Sequence, residues 1–189
     1  MSTRGDLTRL KILDTARALF AEKGYAAVAM EDIRVLCGLS RGGLYRHFSS
    51  TKEIFTRLIE TEQNNAFSAL DKAMKNGIPG ALMLNAFLRS RIKHLFNPKE
   101  YIDNAVNEFA ASCPECHALI VKRAENSVDI VAEMIRLGCE QGAYSCEDCR
   151  AAALHIICLL EGLAKHNALI PMTAQETKKQ LEIIENMLK

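Results

Sequence analysis

The chain has no opening apolar run with a cleavage signature, and no stretch near the ~18 uninterrupted apolar residues that a membrane-spanning helix needs. Neither secretion nor membrane insertion is indicated, and a cytoplasmic location is expected. The pairings that catalysis draws on are missing as well. There is no nucleophile beside a base, no glycine-rich phosphate loop and no carboxylate dyad, and the five histidines are scattered. The reading is therefore not an enzyme, and no cofactor is called for. No internal repeat, low-complexity tract or strand-like alternation occurs, which argues against repeat architectures and sheets alike. Seven cysteines are an odd number for a disulfide framework, and without an export signal they read as reduced thiols.

What is present is a chain of 189 residues, 49% hydrophobic, long enough for a sizeable core. Its net charge of +1 hides an asymmetry. Residues 1–52 hold nine Lys/Arg against five Asp/Glu, and residues 53–189 hold fifteen against eighteen. The head is drawn to phosphate and the body is mildly repelled by it.

The most specific pattern lies at residues 24–48. Ile33, Leu36 and Cys37 fall at helical intervals on one short segment, and Leu44 and Phe48 fall four apart on the next, so each has an apolar side to bury. Between them Gly38 is placed to end the first helix in a left-handed conformation, and Ser40 to cap the second. That is a three-residue turn between two helices. The second helix exposes Arg41, Tyr45, Arg46 and His47, with Gly42 and Gly43 baring backbone where a groove wall can approach. An amphipathic first helix over Leu7–Glu22, closed by Gly24-Tyr25, precedes the pair, and Leu44-Tyr45-Arg46-His47-Phe48 runs on into Lys52-Glu53-Ile54.

Over residues 7–58 this arrangement resembles the N-terminal domain of the tetracycline-repressor (TetR) family of bacterial transcriptional regulators; the remainder is compatible in length and helical content. The resemblance implies that the segment from Ser40 is a recognition helix, with Arg41, Gly42 and Gly43 facing base edges. It makes Tyr45, His47 and Lys52 phosphate contacts. Arg46 suits either a guanine edge or a phosphate, and Arg4, Arg9 and Lys11 either reach the DNA or fray in solvent. Three departures stand out. Val28 and Ala29 replace the family's hydroxyl residues at the cap of the second helix, Arg34 replaces its usual alanine, and Phe48-Ser49-Ser50-Thr51-Lys52 is one residue longer than its usual spacing. The cap loses a phosphate contact, Arg34 either gains one or is a solvated charge, and the reach of Lys52 is affected.

The rest reads as helix, giving an all-α chain of about nine helices. A fourth helix capped by Ser50 or Thr51 runs to about Lys75, a fifth spans Ala81–Phe96 and is stopped by Asn97-Pro98, and a sixth spans Lys99–Ala111. Ser112-Cys113-Pro114-Glu115 has the form of a capping box for a seventh helix to about Gln141. Ser145-Cys146-Glu147-Asp148 opens an eighth ending before Pro171, and Thr173-Ala174-Gln175-Glu176 a ninth to Leu188. Domains are expected at 6–66 for DNA reading and 67–189 for ligand binding and dimerisation.

The stretch Ala151–Leu163 is apolar around most of its circumference, and Leu181, Ile184 and Leu188 form a stripe flanked by Ile183 and Met187. Both suit a four-helix interface between two copies. The resemblance implies a cavity for an effector, with Phe87, Arg91, His94, Phe96, Tyr101, Phe109, Met134 and His155 as lining candidates. Cys113-Pro-Glu-Cys116-His117 and Cys146-Glu-Asp-Cys149 together imitate a zinc signature, but a helix of about 24 residues joins them, ~36 Å at 1.5 Å per residue. The tighter local cluster is Cys139, Cys146 and Cys149. The expected function is a regulator, with a homodimer holding double-stranded operator DNA as a repressor until a small molecule releases it. The alternative is a metal or redox sensor built on those three cysteines.

Overall fold

In the computed structural model, which describes residues 4–97, 99 and 101–189, nine α-helices and no strand appear among the described residues. They are α1 (Arg4–Lys23), α2 (Met30–Cys37), α3 (Arg41–Tyr45), α4 (Thr51–Lys75), α5 (Gly80–Phe96), α6 (Asp103–Ser112), α7 (His117–Glu140), α8 (Cys149–Leu169) and α9 (Ala174–Asn186). The helices divide between two compact units, Met1–Asn64 with Pro98–Lys122, and Asn65–Asn97 with Arg123–Lys189. The first unit is thus discontinuous in sequence. The first departure, after Asn64, lies beside the expected boundary at residue 66, but α6 and the start of α7 return to the N-terminal unit.

In the first unit α1 buries Ile12, Leu13, Ala16, Leu19 and Phe20, one stripe at helical spacing. Gly24 ends the helix at φ 82°, its N–H donating to the Phe20 carbonyl at 3.0 Å. Ile54, Phe55, Leu58 and Ile59 of α4 cover that stripe together with Ile102, Ala105, Val106 and Phe109 from the α6 region. At the centre Phe20, Tyr25, Phe55 and Phe109 form an aromatic cluster with ring centroids 4.7 to 5.8 Å apart. Across the same unit, the Glu108 carboxylate accepts the Ala26 N–H at 2.9 Å and lies against Gly24, where a Cβ would come within 2.3 Å of it. Arg17 bonds Glu62 at 3.0 Å.

The second unit is centred on Leu84, Leu88, Val128, Val131, Ile135, Ala153, Ile156, Leu160, Ile184 and Leu188. Here α5 and α7 approach backbone to backbone, and a Cβ on Gly80 would come within 2.5 Å of the Gly138 nitrogen and the Met134 carbonyl. Asp148 caps α8, accepting from the amides of Arg150 and Ala151 at 3.0 and 2.9 Å. Thr173 and Glu176 form the expected reciprocal capping box of α9.

Three starts differ from expectation. Ser112 closes α6 instead of opening the next helix. Its hydroxyl donates to the Glu108 carbonyl at 2.8 Å, a single 3-10 turn at Pro114–Cys116 follows, and α7 begins only at His117. At α8 the cap falls on Asp148 rather than Ser145, whose amide donates to the Leu188 carbonyl at 2.8 Å. The sixth helix starts at Asp103 rather than Lys99. Pro98, read as the stop after α5, lies outside the described residues, and the Asn97 amide closes that helix on the Lys93 carbonyl. No helix among the described residues is long and apolar enough to cross a membrane.

Candidate nucleic-acid interface

The α2–turn–α3 element is shaped by its caps. Gly38 adopts φ 64°, and its N–H bonds back to the Arg34 and Val35 carbonyls. Ser40 then caps α3, its Oγ accepting the Gly43 N–H at 3.1 Å. Arg34 does not reach outward as a phosphate ligand would. It donates to the Leu39 carbonyl at 2.8 Å and pairs with Glu31, bracing the turn between the two helices. Ala29 has no side-chain oxygen, so α2 keeps only the reverse half of a capping box, the Ala29 N–H donating to Asp32 Oδ2 at 2.8 Å. Ile33, Cys37, Leu44 and Phe48 are buried as their spacing predicts. Leu36 is not; at 61% exposure it lies outside the narrow stripe that an eight-residue helix can bury through Ile33 and Cys37.

With Leu44 fixing the inner side, α3 turns Arg41, Gly42, Tyr45 and Arg46 to solvent, with His47 and Gly43 half-buried. The glycines differ in purpose. A Cβ on Gly42 would meet nothing within 4 Å, so its backbone is open, whereas one on Gly43 would sit 3.1 Å from the capping Oγ of Ser40. The Arg41 guanidinium lies 5.7 Å from the Tyr45 ring centre, and Arg9 lies 4.4 Å over Phe48, which holds a second cation at the start of α4. Lys11 is committed elsewhere. Its Nζ donates to the Cys37 carbonyl at 3.0 Å, satisfying the end of α2.

Ser50 caps α4, accepting the Glu53 N–H, while the Glu53 carboxylate accepts both the amide and the hydroxyl of Ser49 at 2.7 Å. These bonds hold the Glu53 carboxyl below its usual range. Lys52, in the first turn, forms an ion pair with Glu115 on the 3-10 turn before α7. The hydrogen bond between them raises the lysine's pKa and lowers the carboxyl's. Beside this turn the Tyr25 hydroxyl meets the Cys113 thiol at 3.9 Å, and burial first, then that contact, push Tyr25 up to about 12. Glu108 and Glu115 are the interface-bracing residues that sequence reasoning missed. Each acts across 60 to 90 positions, as the 63-residue separation of Lys52 and Glu115 and the 82-residue separation of Ala26 and Glu108 show, so no local pattern marks them.

The expected effector-lining residues are divided between the two units. Phe109 is fully buried in the aromatic cluster of the first unit, and Tyr101 borders an open groove there with Arg17, Glu22 and Lys99. In the second unit His155 is exposed on α8 and Phe96 is 48% exposed, whereas Phe87 and Met134 pack against the core and Arg91 meets His94 at 3.3 Å. Cys139, Cys146 and Cys149 do gather. Burial, then its two thiol neighbours, push Cys149 up to about 11, which keeps it a protonated, weakly nucleophilic thiol at neutral pH. Among the described residues no group of three or more His, Cys, Asp or Glu is arranged to hold a metal, so the metal- or redox-sensing alternative on these cysteines lacks support.

Residues 12–58 match the family profile described as bacterial regulatory proteins, tetR family. Among curated relatives, an uncharacterised HTH-type transcriptional regulator, YfiR of Bacillus subtilis, is 28% identical over 142 residues, 74% of this chain and 69% of that protein. The HTH-type transcriptional regulator UidR of Escherichia coli K12 is 25% identical over 145 residues, 77% of this chain and 73% of its own. A TetR-family regulator from Agrobacterium tumefaciens shares the fold, with a TM-score of 0.79 at 16% identity over 98% of this chain and 100% of that one.

Proposed function

We propose that this chain, which matches the tetR family of bacterial regulatory proteins over residues 12–58, is a cytoplasmic, homodimeric transcriptional repressor that a small molecule releases from a near-palindromic operator. The observation that carries the DNA-reading half is the outward face of α3. Leu44 is fully buried behind it, and Arg41, Gly42, Tyr45 and Arg46 stand free of the core on a helix fixed at its start by Ser40. In this reading Arg41 meets base edges at the bare backbone of Gly42 and Gly43. Tyr45, His47, Lys52 and the capped start of α4 bind phosphate, and Arg46 serves either.

Dimerisation is supported by the apolar surface left on the last two helices. Leu154 and Ile183 are 52% and 47% exposed, Met187 is 43% exposed, and Cys158 lies one turn beyond Leu154. Pairing those faces about a two-fold axis would present two α3 helices to successive major grooves, about 34–36 Å apart. Of the eight lining candidates, Phe87, Arg91, His94 and Met134 retain the role of effector contacts, with an apolar body and a polar pair one turn apart. Effector and DNA then oppose each other reciprocally.

Selection of bound sequences from random DNA, with affinity measured against salt, tests the proposal. An inverted repeat should emerge. Arg41→Ala should flatten the preference at one position, and Lys52→Ala should weaken all sequences alike and reduce the salt slope by about one per head. Equal effects from both substitutions would reject the assigned roles, and a stable monomer in sedimentation at micromolar concentration would reject the dimer.

A further inference from the structure

Lys52 is an odd residue for its position. It stands in the first turn of α4, where the exposed amides already carry partial positive charge and a cation is unfavourable. The neighbouring carboxylate that could offset it, Glu53, is occupied by the amide and hydroxyl of Ser49. The charge is met instead from the far side of the same unit, by Glu115. That residue sits in the middle of a three-residue 3-10 turn, behind Pro114, whose ring fixes the backbone just before it. Cys113, which opens the turn, is buried and touches Tyr25, so the turn is anchored on the aromatic core.

The pair is not a core staple. The Lys52 and Glu115 side chains are 42% and 60% exposed, a setting in which ion pairs add little to stability. What it does alter is the cation offered to DNA. A phosphate approaching the start of α4 meets an ammonium already paired with a carboxylate, and binding there must loosen that pair or bring a negative charge close to the backbone. Either way fewer counterions are released than by a free lysine.

We propose that Glu115 is an internal competitor for Lys52, a built-in brake that lowers affinity for DNA of any sequence by occupying the lysine that would clamp the phosphate backbone. The inference rests on the reading of Lys52 as a phosphate contact, and the experiment separates the two. Binding of the full-length protein to a fluorescein-labelled mixed-sequence duplex is measured across a salt series for wild type, Glu115→Gln, Lys52→Gln and the double variant. Thermal melts verify that each is folded.

Glu115→Gln should tighten binding about two- to five-fold per reading head, the range for loosening one exposed pair, and steepen the salt slope. Lys52→Gln should weaken binding and flatten the slope. In the Lys52→Gln background the Glu115 substitution should lose most of its effect. A Glu115→Gln protein that binds as wild type does, or gains as much without Lys52 as with it, overturns the brake while leaving the phosphate role of Lys52 intact. A Lys52→Gln protein unchanged in affinity and slope overturns the phosphate role, and the brake with it. Glu115→Lys adds a second arm. Repulsion then replaces pairing, and the gain should exceed that of Glu115→Gln.

Discussion

Phe109 offers the sharpest check on how the molecule is organised, because its position in the sequence and its position in space suggest different jobs. By sequence it belongs with the expected effector-lining residues. In space it is fully buried in the first unit, edge-on to Tyr25 with centroids 4.8 Å apart and tilted against Phe55 at 4.9 Å. Replacing it with alanine removes an aromatic ring's burial, roughly 3 kcal/mol, and two ring pairs at about 0.5–1.5 kcal/mol each, and leaves a partly collapsed cavity. Measured Phe→Ala changes in cores run at about 3–5 kcal/mol, which sets the expectation here. For a chain of this length about 2–4 °C accompanies each kcal/mol, so Tm should fall by roughly 6–20 °C in far-ultraviolet circular dichroism. Because the same core backs α1 and α4, DNA binding should fail along with the fold on warming, well below the wild-type transition. Phe109→Leu, which keeps most of the volume, should lose much less. A Phe109→Ala protein that melts with the wild type, or one that binds DNA normally and has lost only its response to an effector, would refute the placement of α6 in the reading unit.

Ser40→Ala removes the acceptor for the Gly43 amide and should destabilise the short α3 by about 1 kcal/mol, read as weaker binding on every duplex, with Ser40→Asn restoring most of it. Gly80→Ala would push a methyl to within 2.5 Å of the α7 backbone, and overpacking of this kind should cost about 1–3 kcal/mol in a denaturant titration; no loss would mean that α5 and α7 slide apart freely. Tyr25 gives a pH signature. Its pKa is raised in the folded state to about 12, so its contribution is complete below the ordinary value of 10.0 and is lost as pH climbs from there towards 12. Stability should decline over that window in wild type and decline less in Tyr25→Phe; parallel curves would show that Tyr25 does not carry the effect.

The parts of the fold that were legible in the sequence are those set by neighbours in the chain. Gly38 and Ser40 define the turn before α3 through bonds that span only three to five residues, and Thr173 with Glu176 defines the start of α9 in the same way. The failures share one form. Ser112-Cys113-Pro114-Glu115 satisfies the capping pattern, yet its hydroxyl finds the Glu108 carbonyl one turn back and its carboxylate finds Lys52, 63 positions away. At Ser145 the competing acceptor, Asp148, was three residues further on and stronger, since a carboxylate takes two amides at once. A motif records which atoms could bond, and the folded chain selects among them by distance.

The same distinction governs the interface. Which cations lie near the reading helix follows from composition, but whether each is free does not. Lys11 ends on the Cys37 carbonyl, Arg34 on the Leu39 carbonyl and Glu31, and Lys52 on Glu115, while Arg41 and Arg46 remain turned to solvent. The nine basic residues counted over positions 1–52 therefore overstate the charge that a phosphate backbone would meet, because three of those nearest α3 already bond to protein oxygens. The two carbonyl bonds satisfy backbone oxygens at the end of α2 and in the turn that follows it, and would persist in a complex. The bond to Glu115 finishes no backbone group, so of the three it is the one that DNA can displace at least loss to the fold. The salt slope of binding should accordingly respond to substitution at Glu115 and stay unmoved by charge-preserving Lys11→Arg. A slope that shifts with Lys11→Arg would mean that Lys11 is drawn off its carbonyl to meet phosphate, and that the hydrogen bonds of the unbound protein do not predict which cations reach the DNA.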